Sequence, residues 1–137
     1  MFDKIDHVGI AVRSVDDKIT LYRDVLGLEW TGTESVEEQG VRVAGFEIGE
    51  SLIELLEPTD DESPIAKFLE RRGEGIHHIA VGCEDIAEAR GAVEEAGLRL
   101  LSDGPLDGAH DKLISFVHPK DTGGVLLEFC QRKGSQQ

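Results

Sequence analysis

Positive charge is what this sequence has least of. Its 137 residues carry 14 Lys and Arg against 28 Asp and Glu, a net charge of −14. Nucleic acid and anionic membrane surfaces are bound by neutralising phosphates with Lys and Arg, so this balance argues against both as partners. Long apolar runs are also missing. None approaches the ~20 residues that span a bilayer. The N-terminus, MFDKIDHVGIAV, has charges where a secretory signal needs an apolar stretch. Cysteine is scarce: Cys83 and Cys130 form neither a CxxC pair nor a disulfide framework, and are expected as reduced thiols buried on strands. Together these absences point to a water-soluble, cytoplasmic protein. The acid excess with only six lysines is also the surface that a high-salt cytoplasm favours. Apolar residues make up 39%, enough for a globular core, and the length suits one domain.

What the sequence does have is a repeat. HVGIAVRSVDDKITLYRDVLGL (His7–Leu28) matches HIAVGCEDIAEARGAVEEAGL (His78–Leu98), with His7 over His78 at an offset of 71. Downstream, SLIELLE (Ser51–Glu57) resembles GVLLEFC (Gly124–Cys130), with Glu54 over Glu128 at an offset of 74. Each unit opens on a histidine strand and closes on a glutamate strand. Residues 4–12 alternate as a strand, with Val8, Ile10 and Val12 on one face and His7, Gly9 and Ala11 on the other. A helix is expected from Ser14 to Leu26, capped by Ser14 or Asp16, striped by Ile19, Tyr22, Val25 and Leu26, and stopped at Gly27. Strands follow near 29–37, 41–48 and 51–57, with turns at Gly40 and Gly49. The second copy gives a strand over 76–83, a helix over 85–96 ending at Gly97, and strands near 98–102, 112–118 and 124–131. Between the copies, Ser63-Pro64 starts a linker helix over 63–73 that ends at Gly73. The run Asp60-Asp61-Glu62 is solvated loop, and the tail RKGSQQ (Arg132–Gln137) is expected to fray. The fold expected is α+β: one domain over 1–137, built from two tandem βαβββ modules, about 4–57 and 76–131. The modules would pack as pseudo-symmetric halves of a half-open mixed barrel around a metal site.

In GIHHIAV two histidines stand side by side, and adjacent strand residues point to opposite faces. The repeat makes His78, not His77, the partner of His7, and leaves His77 on the helix side with a structural role. Ala80 and Gly82 share the face of His78, as Gly9 and Ala11 share that of His7, so each histidine borders a trough of small side chains. Glu54 and Glu128 sit inside apolar strands, LIELL and VLLEF. A carboxylate there costs several kcal/mol to desolvate unless it is paired or metal-bound. Two imidazoles and two carboxylates, His7, Glu54, His78 and Glu128, make a good divalent site with room for two waters. Co²⁺ is the first expectation, and Mn²⁺, Ni²⁺ and Zn²⁺ also tolerate these ligands.

The sequence resembles the vicinal oxygen chelate, or glyoxalase-fold, superfamily, and within it the methylmalonyl-CoA epimerases. The likeness runs over about residues 4–131. It is carried by the paired βαβββ units, the His…Glu…His…Glu order, and the segments DHVGIAV, EQGV (Glu38–Val41), IELLEP (Ile53–Pro58), DESPIAKFL, GIHHIAV, GAH-x-K (Gly108–Lys112) and FVHPKDTGGVLLE (Phe116–Glu128). Family members carry Gln or Glu at the Glu54 position. The resemblance implies interconversion of (R)- and (S)-methylmalonyl-CoA, with Glu38 and Glu128 as the acid/base groups on either side of the α-carbon. It also implies a small-molecule acyl-CoA partner and a homodimer. Lys112 and Lys120 are favoured for the substrate's phosphates or carboxylate, while His118 before Pro119 would shape a turn or line the pocket. Three other activities share parts of this pattern: a lactoylglutathione lyase, an Fe(II) extradiol dioxygenase, and a non-catalytic ligand-sequestering protein of the same fold.

Overall fold

The histidine strand and the glutamate strand of each repeat come to lie side by side. In the computed structural model, which describes residues 1–134, β1 (Phe2–Ala11) pairs in parallel with β4 (Ser51–Pro58), placing Gly9 opposite Glu54. The antiparallel strands β2 (Glu29–Val36) and β3 (Val41–Ile48) complete the order β2-β3-β4-β1. In the second repeat β5 (Gly75–Cys83) pairs in parallel with β8 (Leu127–Arg132), placing Ala80 opposite Glu128. Here β7 (Lys112–Val117) and β6 (Leu106–Gly108) complete the order β6-β7-β8-β5. Parallel neighbours need a long crossover, which the helix and two further strands supply in each copy. The architecture is α+β, with the same βαβββ topology twice. The chain forms two compact units, one of His7–His77 and one of Met1–Asp6 together with the residues from His78 onward.

Each helix covers the apolar face that alternation predicts. In the His7–His77 unit, Val12, Val15, Ala44, Phe46 and Leu55 are buried together, with Ile10, Ile19, Tyr22 and Ile53 packed against them. In the other unit Cys83, Ile86, Ala89, Val117 and Phe129 form the core, flanked by Val81, Val93 and Leu127. The first helix, α1 (Val15–Ile19), is capped by Ser14, whose hydroxyl accepts from the Asp17 N–H at 3.3 Å. The linker helix α2 (Pro64–Arg72) is capped by Ser63, starts at proline and stops at Gly73. Asp85 caps α3 (Ile86–Glu95) by accepting from the Glu88 N–H at 3.1 Å. Cys83 and Cys130 are buried free thiols, and burial pushes the Cys83 thiol up to about 11. No helix among the described residues is long and apolar enough to cross a membrane.

Four expectations change. The helix over 14–26 is α-helical only to Ile19 and continues as π-helix over Thr20–Val25, with the Leu26 N–H donating to Leu21 O at 2.9 Å. The wider turn breaks the 3.6-residue stripe. Ile19 and Tyr22 still pack on the core, but Val25 and Leu26 stand 72% and 56% exposed. The strand near 98–102 reduces to one bridge, Leu100 to Val117, and the edge strand forms later, over Leu106–Gly108. Two observations account for this. The Arg90 guanidinium donates to Ser102 O at 2.8 Å, and Ser102 Oγ donates to Gly104 O at 2.6 Å, so the segment before Pro105 turns instead of pairing. β8 starts only at Leu127, because Gly123 and Gly124 hold left-handed φ of 80° and 88°. Of the tail expected to fray, Arg132 belongs to β8, and Ser135–Gln137 lie outside the described residues.

Candidate active site

Parity along the strands builds a histidine–glutamate pair in each unit. Ile53 and Leu55 of β4 face α1, so Glu54 faces away from it. Likewise Ile10 of β1 and Val12 just beyond its end face α1, and His7 faces away. The parallel register then sets His7 Nε2 3.4 Å from Glu54 Oε1, with both residues buried. The other unit repeats this. Val81 and Phe129 pack with α3, and on the opposite face His78 Nε2 lies 3.2 Å from Glu128 Oε1, again with both buried. The Phe116 ring meets the His78 imidazole at 89°, centroids 5.7 Å apart. His77 turns the other way and packs edge-on against Phe68 of α2, at 5.1 Å and 82°, on the helix side where parity puts it.

The remaining candidates are placed less uniformly. Glu38 lies on an exposed 3₁₀ turn (Glu37–Gln39) between β2 and β3. Gly40 closes that turn in the left-handed region at φ 66°, and Gly40 O accepts from the Thr59 N–H at 3.0 Å, tying it to the end of β4. The ladder runs from Gly45 opposite Glu54 to Val41 opposite Pro58, so the Glu38 turn lies past the end of these strands. Lys112 is not an open surface cation: it is 6% exposed and its ammonium lies 2.5 Å from the carboxylate of buried Asp6. A buried ammonium is retained only where its charge is matched, and Asp6 supplies that match. Lys120 is exposed on a 3₁₀ turn (Pro119–Asp121), where its backbone N–H donates to His118 Nδ1 at 3.1 Å. His118 therefore shapes the turn. At the β6–β7 hairpin tip His110 and Asp111 take left-handed φ of 59° and 55°.

A family model for the glyoxalase/bleomycin resistance protein/dioxygenase superfamily matches residues 6–116. The chain belongs to this superfamily. Among its relatives, the ethylmalonyl-CoA/methylmalonyl-CoA epimerase of Cereibacter sphaeroides is 42% identical over 133 residues, spanning 96% of this chain and 99% of that protein. Among solved structures, a methylmalonyl-CoA epimerase in complex with methylmalonyl-CoA and NH4+ superposes with a TM-score of 0.95 at 40% identity, covering 98% of each chain. A variant of the Streptomyces coelicolor methylmalonyl-CoA epimerase in complex with 2-nitronate-propionyl-CoA gives 0.95 at 39% identity, covering 100% of this chain and 99% of that one. The chain therefore has the glyoxalase fold.

The glyoxalase fold implies a divalent ion, and the histidine–glutamate pair in each unit has the donor chemistry and spacing for one. Ligand bonds of about 2.1 Å at angles near 90–110° put neighbouring donor atoms roughly 3.0–3.4 Å apart. The two histidine–glutamate pairs are 3.4 and 3.2 Å apart. That is longer than the roughly 2.7–2.9 Å of a tight charge-assisted hydrogen bond and suits two ligands of one ion. Sequence reasoning missed Asp6 and Phe116. Asp6 adjoins the histidine motif, but its partner lies 106 residues away. Phe116 reads as an ordinary strand aromatic.

Proposed function

We propose that the protein is a methylmalonyl-CoA epimerase, interconverting the (R) and (S) forms at the α-carbon between the thioester and the carboxylate. The observation that carries this reading is the pair of buried histidine–glutamate contacts, His7–Glu54 and His78–Glu128, at equivalent places in the two repeats. It is supported by about 40% identity, over almost the whole chain, to proteins that bear that name.

In this reading His7, Glu54, His78 and Glu128 hold one divalent ion, with Co²⁺ first and Mn²⁺, Ni²⁺ or Zn²⁺ as other occupants. When bound, the ion supplies Lewis-acid stabilisation of enolate charge, worth several kcal/mol. Glu38 and Glu128 exchange the α-proton from opposite faces, one removing it and the other delivering it. Each positioned group contributes roughly 10²–10⁴-fold. The carboxylate of Glu38 is exposed and open to an incoming substrate. Lys120 offers an open cation to the anionic coenzyme A moiety. Lys112, already matched by Asp6, makes any substrate contact as part of that ion pair. The protein works in the cytoplasm as a homodimer.

The test is racemisation of stereochemically pure methylmalonyl-CoA, run beside methylglyoxal with glutathione. Rapid racemisation of the first and no turnover of the second is expected. The reverse result would replace the epimerase with a lactoylglutathione lyase.

A further inference from the structure

The two repeats are not equivalent beside their glutamates. In β3 the residue opposite Glu54 is Gly45, and at the same ladder position in β7 the residue opposite Glu128 is Phe116. The fold thus accepts no side chain at all in one copy, so the aromatic ring in the other is not a demand of the topology. Phe116 is half-buried, and its ring stands at 89° to the His78 imidazole with centroids 5.7 Å apart. That is the edge-to-face arrangement that aromatic quadrupoles favour. Nothing comparable can act on His7 from Gly45.

We propose that Phe116 is a positioning residue for the His78–Glu128 pair. Its ring fixes the plane of the imidazole from which His78 Nε2 faces Glu128. Rotation of His78 about its terminal torsion is broad and soft in the absence of such a neighbour. Holding the ring removes the rotational freedom that a metal would otherwise have to remove on binding, as outer partners of metal-ligating histidines do. The metal-related part of this role rests on the metal-assisted reading above.

The test compares wild type, Phe116→Leu and Phe116→Tyr. Leu keeps most of the apolar bulk and loses the ring; Tyr keeps the ring. In metal-free protein the carbon-bound imidazole protons of His78 are followed by NMR, and Co²⁺ affinity is measured by competition with a chromophoric chelator. The expected result for Phe116→Leu is a His78 signal shifted from its ring-current position and broadened or split, with the Co²⁺ dissociation constant raised roughly 3- to 10-fold. Phe116→Tyr should restore both. Loss of the ring current shifts the His78 signal in either case, so its width and multiplicity decide: a merely structural role would lower the melting temperature of Phe116→Leu and leave the His78 signal as sharp and single as in wild type with the Co²⁺ affinity unchanged, and that outcome overturns the proposal. Wild type that takes up no Co²⁺ sinks the metal reading separately, and the His78 signals then still decide whether Phe116 orients the ring.

Discussion

Glu57 Oε1 accepts a hydrogen bond from the backbone N–H of Val15 at 2.8 Å. The same device recurs in the second repeat, where Gln131 Oε1 accepts from the Ile86 N–H, also at 2.8 Å. Each acceptor lies three residues after a candidate metal-binding glutamate, Glu54 or Glu128. Each meets one of the N–H groups that a helix start leaves without an intrahelical partner. The glutamate strand is thus tied to the helix that follows the histidine strand. Replacing either acceptor by Ala should cost about 1 kcal/mol, as loss of a helix N-cap does. Glu57→Gln keeps the acceptor and loses charge towards Arg42, which sits 3.1 Å from Glu57 Oε2. It should cost less than Glu57→Ala in urea unfolding.

Metal should act on stability as well as on rate. An ion bound by the folded chain alone adds about 2.7 kcal/mol when present at 100 times its dissociation constant. Chelation should lower the melting temperature, and added Co²⁺ should raise it. Replacing His7 or His78 by Ala should abolish most of that rise, which a thermal melt with and without metal will read.

The Asp6–Lys112 pair gives a sharper prediction. Both groups are buried, at 6% exposure each. Lys112→Met leaves a carboxylate without its matching cation and should cost about 3–5 kcal/mol. Asp6→Leu with Lys112→Met removes both charges and should recover most of that loss. Urea midpoints of the single and double variants test this directly.

Acid should weaken the β7–β8 connection. The guanidinium of Arg99 donates to Asp121 at 2.9 and 3.0 Å, and this hydrogen bonding holds the Asp121 carboxyl down at about 2. A carboxyl lower in the folded than in the unfolded chain stabilises the fold above its ordinary value, near 3.8. The contribution is lost as pH falls from there through about 2. Arg99→Gln should therefore flatten the part of the acid unfolding curve that lies in this window. An unchanged curve would contradict the assignment.

Much of this was legible in the sequence because two signals were periodic. A period of two assigns His78 and His77 to opposite faces, and the structure puts His78 beside Glu128 and His77 against Phe68. The repeat locates Glu54 and Glu128, since a slip of one residue would send either to the helix face. What escaped was not periodic. The π-helix over Thr20–Val25 follows from hydrogen-bond register, which an apolar stripe does not encode. The displaced edge strand over Leu106–Gly108 depends on Arg90 reaching Ser102 from another element. The burial of Lys112 depends on Asp6 at the far end of the chain. Contacts made by long polar side chains across the fold have no local signature.

The measurement that bears most directly on the central claim is deuterium entry at the α-carbon of methylmalonyl-CoA in D₂O, followed by mass spectrometry. Chelator-treated protein is run with and without added Co²⁺, beside an enzyme-free blank. Exchange far faster than the blank, dependent on the added metal, and reduced in Glu38→Gln and Glu128→Gln, is the predicted result. Exchange no faster than the blank with metal demonstrably bound would contradict it, leaving the fold in place and removing this substrate.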